Sequence, residues 1–198
     1  VLVLTYNITL ANYLKFRLSE IRDDFSWEKI DVYPYHQFFR IRASECMKHV
    51  EFGSYQDETF FDNSRIHKKY SAIFVDEVQD YTTEWLRIVM QNFLLEPDGE
   101  FVVFGDPKQN VYQRPLDTNG DIRLGVIGGQ WNRQLSTSRR FTNPRLANLA
   151  TAFQSQFMAN VPNDNITTEN AMMNTLNFQI LTYKDMRQYY TIDALLTN

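Results

Sequence analysis

Short unbroken apolar runs occur at 1–4, 72–75 and 101–104, each of strand length and without polar interruption. That pattern predicts strands covered on both faces of a parallel sheet. Between the runs, apolar positions recur at helical spacing. Leu10, Leu14, Leu18 and Ile21 share one face of a predicted helix over 9–21. Trp85, Val89 and Phe93 form the inward face of another over 82–95, with Thr82 as its N-cap. Residues 30–33 read as a strand and 37–50 as a helix. Pro97-Asp98-Gly99 turns the chain back into the run at 101–104. Strand, helix and strand at this spacing make a βαβ unit, hence an α/β fold with right-handed crossovers. The run at 1–4 has no residue before it, so the expectation is that an upstream segment has been removed.

The polar stretch 51–69 reads as a small insertion or a mobile loop, within a mixed region over 22–70. Four glycines between 120 and 129 suggest a connection between domains. Residues 131–137 predict an edge strand. Asn143 and Pro144 then open a helix whose apolar face is Leu146, Leu149, Ala150, Phe153 and Phe157. The Asn- and Thr-rich stretch 160–174 should be exposed, with a strand at 178–183 and a helix at 185–196.

The charge pattern narrows the possible partners. Net charge is −4. Residues 73–130 carry ten acidic and four basic groups, against ten of each before them and four acidic and six basic after. A polycation that binds by neutralising phosphates is therefore excluded, and nucleic-acid contact would use a narrow track of amides, hydroxyls and rings. The lone cysteine, Cys46, forms no internal disulfide and fits a reducing, cytoplasmic setting. No apolar run is long enough to span a bilayer as a helix.

The chemistry concentrates where two apolar runs stop. The first ends in Asp76-Glu77-Val78-Gln79-Asp80, the second in Gly105-Asp106-Pro107-Lys108-Gln109-Asn110-Val111-Tyr112. Ligand groups in parallel sheets sit beyond the carboxyl ends of strands. An acidic pair there can hold Mg²⁺ beside a phosphate and orient a water. A solvated acidic turn is the plainer reading of either segment alone.

Together they carry a resemblance. AIFVDEVQD resembles the Walker B box of superfamily 1 helicases of the UvrD/Rep type, and GDPKQNVY their third motif. LSTSRRFT over 135–142 resembles the fourth, VLTYNITLA over 3–11 resembles motif Ia, and Tyr35-His36-Gln37-Phe38 is similar to motif Ib. The resemblance implies an incomplete RecA-like P-loop NTPase sheet with flanking helices over 1–130. It further implies the opening part of a second RecA-like domain over 131–198. ATP and Mg²⁺ would be the cofactors and single-stranded DNA the partner, together with the remaining helicase domains.

By this resemblance Asp76 holds the metal and Glu77 is the general base. Gln79 and Asp106 support the nucleotide site, Gln109 senses the γ-phosphate, and Arg140 is the arginine finger. Thr5, Asn7, His36 and Tyr112 would contact nucleic acid. Each has an ordinary alternative: a helix cap for Thr5 and Asn7, packing for His36 and Tyr112, capping of the next helix for Asp80. Two departures stand out. Arg114 occupies a position that is usually aromatic in the family, and Ser138-Arg139 precedes Arg140 where Asn-Tyr is usual, which leaves Arg139 as a second candidate finger.

The chain has no G-x-x-x-x-G-K-[ST] sequence to cradle phosphates. The expectation is a fragment, inactive alone, of an ATP-dependent DNA helicase or translocase. The alternatives are a non-catalytic nucleic-acid-binding module of the same fold, the motor segment of a helicase-nuclease, and an unrelated Mg²⁺-dependent α/β enzyme using Asp76 and Asp106.

Overall fold

The computed structural model describes residues 1–21, 26–125, 131, 137–138, 144–157 and 167–168. The chain divides into two compact units, Val1–Gln130 and Trp131–Asn198. The first is built on a four-stranded, all-parallel sheet in the order β2-β1-β3-β4. Its strands are β1 (Leu2–Thr5), β2 (Asp31–Pro34), β3 (Ala72–Val75) and β4 (Glu100–Val103). Helix α1 (Ile8–Ser19) joins β1 to β2, α2 (Tyr35–Glu45) follows β2, and α3 (Thr83–Phe93) joins β3 to β4. The fold is therefore α/β with flanking helices.

The register aligns Leu2 with Ile73 and Leu4 with Val75. All four are fully buried on one face of the sheet. On the other face Val3 pairs with Phe74, and both are only half-buried. The expectation of strands buried on both faces thus holds for one face. The connections explain the difference. The β1 to β2 link steps one way along the sheet, whereas the links into β3 and β4 step the other way. With right-handed crossovers this sets α1 on one face and α2 and α3 together on the other.

The doubly covered face is held by rings. Phe38 and Phe39 of α2 and Phe93 of α3 are each 1% exposed, and the Phe38 and Phe93 centroids lie 5.0 Å apart, edge to face. Residues 51–69 join this core. Phe61, 2% exposed, sits 5.1 Å from both Phe39 and Phe93. Glu58 pairs with Arg87 at 2.8 Å, the Lys48 ammonium donates to the Phe60 carbonyl, and Tyr35 Oη donates to Tyr55 O at 3.0 Å. The mobile-loop alternative fails here, because two adjacent phenylalanines tie this polar stretch to the helices.

Several boundaries differ from the pattern for local reasons. Helix α2 stops at Glu45 rather than near 50, because Met47 takes a left-handed φ of 54°. Thr82 caps α3 as expected, its side chain accepting from Trp85 N at 3.4 Å. In α1 the buried residue is Ala11, which lets the helix approach β1 and β2 closely. Leu10, Leu14 and Leu18 are half-buried, and Ile21 lies beyond the helix, 49% exposed.

In the second unit, β5 (Thr137–Ser138) pairs in parallel with β6 (Thr167–Thr168), and α4 spans Pro144–Phe157. Among its described side chains Ala147 is buried, whereas Leu149 and Phe153 of the expected apolar face are 39% and 57% exposed. The expected elements at 178–183 and 185–196, and the Asn143 cap, lie outside the described residues. Among the described residues no helix is long and apolar enough to cross a membrane.

Truncating a ring at the centre of the aromatic core removes buried area and leaves a cavity. Phe38→Ala should lower unfolding free energy by about 3–5 kcal/mol in urea titrations, while Phe16→Ala on the exposed side of α1 should change it by less than about 0.5 kcal/mol.

Candidate functional site

The connections leaving β1 and β3 depart in opposite directions along the sheet. That divergence opens a crevice at their carboxyl ends, the usual ligand position in α/β sheets. Three segments meet there: 5–8 after β1, 76–80 after β3, and 104–112 after β4.

The β3 segment is tightly fixed. The Asp76 backbone N–H donates to Leu4 O at 2.9 Å, and Val78 N–H to Phe104 O at 2.9 Å. Asp76 Oδ1 accepts from Glu77 N at 3.0 Å. Glu77 has φ 54° and ψ 47°, the left-handed region, at a cost of about 1–2 kcal/mol for a residue with a Cβ. The surrounding hydrogen bonds hold it there and turn its carboxylate toward Gln79.

Gln79 is 2% exposed and uses both ends of its amide. Nε2 donates to Glu77 Oε2 at 2.6 Å, and Oε1 accepts from Asp106 N at 3.1 Å. Asp106 in turn accepts from Lys108 N at 2.9 Å and from Gln109 Nε2 at 3.0 Å. The structure thus strings Glu77, Gln79, Asp106 and Gln109 along one hydrogen-bonded chain, with Asp76 next to Glu77. The arrangement can fix a carboxylate and present an exposed amide beside it.

Gly105 has a part that the sequence did not reveal. A Cβ there would stand 2.7 Å from Val78 Cγ1 and from Ile122 Cδ1, and 3.0 Å from Gln79 Oε1. Only glycine lets the β4 loop close over the buried amide.

Asp80 does not cap α3, since Thr82 does. Burial first, and then the Glu77 charge, raise its carboxyl above the ordinary value, against a lowering by Arg114. The Arg114 guanidinium donates to Asp80 O at 3.4 Å and lies 5.8 Å over the Tyr112 ring and 6.0 Å over Trp85. The arginine in the usually aromatic position is therefore a flat group set between two rings.

The nucleic-acid candidates separate. Thr5 is fully buried and its hydroxyl donates to Asn7 O at 2.9 Å, so it shapes the turn and offers no surface to a ligand. Asn7 is exposed and caps α1, accepting from Leu10 N at 2.7 Å. Tyr112 is 52% exposed, with its ring 5.1 Å from that of Tyr6. Tyr6, between two residues singled out from the sequence, joins this cluster. Burial first, and then its hydrogen bond with Tyr112, push its hydroxyl up to about 12. His36 packs 4.8 Å from Trp85 and 4.7 Å from Tyr55, and burial lowers its imidazole from the ordinary histidine value. Tyr6, Asn7, His36 and Tyr55 line one open groove of about 880 Å³. Arg140 and Arg139 lie outside the described residues. Among the described residues no three His, Cys, Asp or Glu side chains cluster as a metal site.

Residues 47–114 match the family model of the UvrD/REP helicase N-terminal domain. The match takes in the β3 segment, the Gly105 loop, Tyr112 and Arg114, so this stretch of the chain is similar to that domain. Residues 1–46 and 115–198 lie outside it. No curated protein and no solved structure matched the chain.

A methyl group at 105 must displace Gln79 or Val78. Gly105→Ala should destabilise the fold by about 1–3 kcal/mol, and amide exchange should show the Asp106 N–H losing protection more than the β1 amides do.

Proposed function

We propose that this chain forms part of the motor of an ATP-dependent DNA helicase or translocase, coupling ATP hydrolysis to movement along single-stranded DNA. The observation that carries the reading is the hydrogen-bonded chain from Glu77 through Gln79 to Asp106 and Gln109 at the end of a parallel sheet. In it, residues 1–130 are most of a first RecA-like domain and 131–198 the opening of a second. The phosphate-cradling loop comes from outside these residues.

The donor set suits Mg²⁺. This ion keeps most of its waters and takes one or two carboxylates plus substrate phosphates, so a single strand-end aspartate, Asp76, is an adequate protein ligand. When bound with ATP it would neutralise phosphate charge.

This chain's own residues supply the rest. Glu77 accepts the proton of the water that attacks the γ-phosphorus, while the bond to the β-phosphate oxygen breaks and ADP leaves. Gln79 keeps the Glu77 carboxylate aimed. Gln109 donates its exposed amide toward the γ-phosphate, so that loss of that phosphate is felt at Asp106 and, through Gln79, at Glu77. Arg140, or Arg139 beside it in sequence, would stabilise the transferring charge. Tyr6 and Tyr112 offer rings for bases to stack on, and Asn7 and His36 line the groove the strand would follow.

The test is single-turnover ATP hydrolysis with single-stranded DNA in the full-length helicase this reading implies. Glu77→Gln should lower the rate by about 10²–10⁴-fold while nucleotide binding is retained. Equal rates in the two proteins would refute Glu77 as the base.

A further inference from the structure

The groove at Asn7 and His36 does not end at α2. A second open groove adjoins it, and the two share Arg40, Ser44 and Tyr55 as lining residues. At its far end Phe52 is 98% exposed and Met47 94% exposed. Both belong to a region with a fixed backbone. Phe52 opens a 3₁₀ turn, Phe52–Gln56, closed by a reciprocal capping box between Glu51 and Ser54. The Tyr55 ring is held between His36 at 4.7 Å and Phe39 at 5.0 Å.

One exposed cation, Arg40, stands where the two grooves meet. Glu45 is paired with Arg42, which donates to both its oxygens at 3.0 and 2.7 Å, and Glu51 accepts a backbone N–H in its capping box. His49 lines the same stretch, and the Lys48 ammonium there donates to the Phe60 and Asp62 carbonyls. An exposed ring in a groove that shares Arg40 with the first suits a strand of bases and phosphates better than a protein partner, which needs a broader apolar face.

We propose that a single-stranded nucleic acid runs on along the outer face of α2, with Arg40 at a phosphate and Phe52 as a second stacking surface. The proposal rests on the nucleic-acid reading above. Nine residue steps from His36 to Glu45 give roughly 14 Å, room for a few nucleotides at about 3.4 Å or more each.

Fluorescence anisotropy of the 198-residue chain with oligo-dT and oligo-U of about 6 and about 16 nucleotides tests this. The wild type should bind the longer strands more tightly. A Phe52→Ala, Arg40→Ala double variant should lose about tenfold of that gain and lower the salt slope by about one, with short-strand affinity kept. Phe52→Tyr with Arg40 intact should retain the gain. Both positions are exposed, so thermal melts of variants and wild type should coincide. The same length dependence in the double variant and the wild type would overturn the extension alone and leave Phe52 as a protein contact. Failure of the wild type to bind either length would overturn the underlying nucleic-acid reading as well. Comparison of the dT and U strands separates DNA from RNA as the source.

Discussion

A carboxamide with 2% exposure must hydrogen-bond at both ends, because each buried polar atom left unpaired costs about 1–3 kcal/mol. Gln79 meets that demand only by joining two loops from different strands. Its donor end fixes the Glu77 carboxylate and its acceptor end fixes the backbone at Asp106. The left-handed conformation of Glu77 and the missing side chain at Gly105 both follow, since each lets a loop come close enough to the amide. A shift in either loop is therefore transmitted to the other.

The second organising feature is a run of aromatic contacts that begins beside this site. Tyr112 meets Tyr6, Tyr6 meets Trp85, and Trp85 stacks on Tyr35 at 4.6 Å. The series passes through His36 and Tyr55 to Phe39 and the buried Phe61. Its outer members border the groove and its inner members are core. Ring contacts therefore run without a break from the lining of the groove into the hydrophobic core. Arg114 ties that series back to the acidic segment through Asp80. This series of contacts joins the lining of the groove to the segment that follows β3.

Much of this was legible in the sequence where local chemistry decides the outcome. The apolar run at 72–75 marked the central strand, Thr82 marked the start of α3, and the acidic segment after β3 marked the crevice. What stayed hidden depends on contacts across the chain. Nothing local says that Thr5 turns inward, that a glutamate takes a positive φ, or that Arg114 lies between two rings. The docking of 51–69 had one visible sign, the Phe60-Phe61 pair, which the surrounding polar residues masked. In α1 the spacing of leucines suggested the buried face, yet Ala11 took it because close approach to the sheet favours a small side chain.

The most direct measurement is DNA-stimulated ATP hydrolysis by the full-length helicase this account implies, comparing the wild type with Gln79→Leu. A leucine fills the buried site but joins neither loop. The account predicts a folded variant that binds single-stranded DNA as the wild type does and loses at least about tenfold of the stimulated rate, a loss of about 1.4 kcal/mol or more in coupling. Stimulation equal to that of the wild type would contradict it.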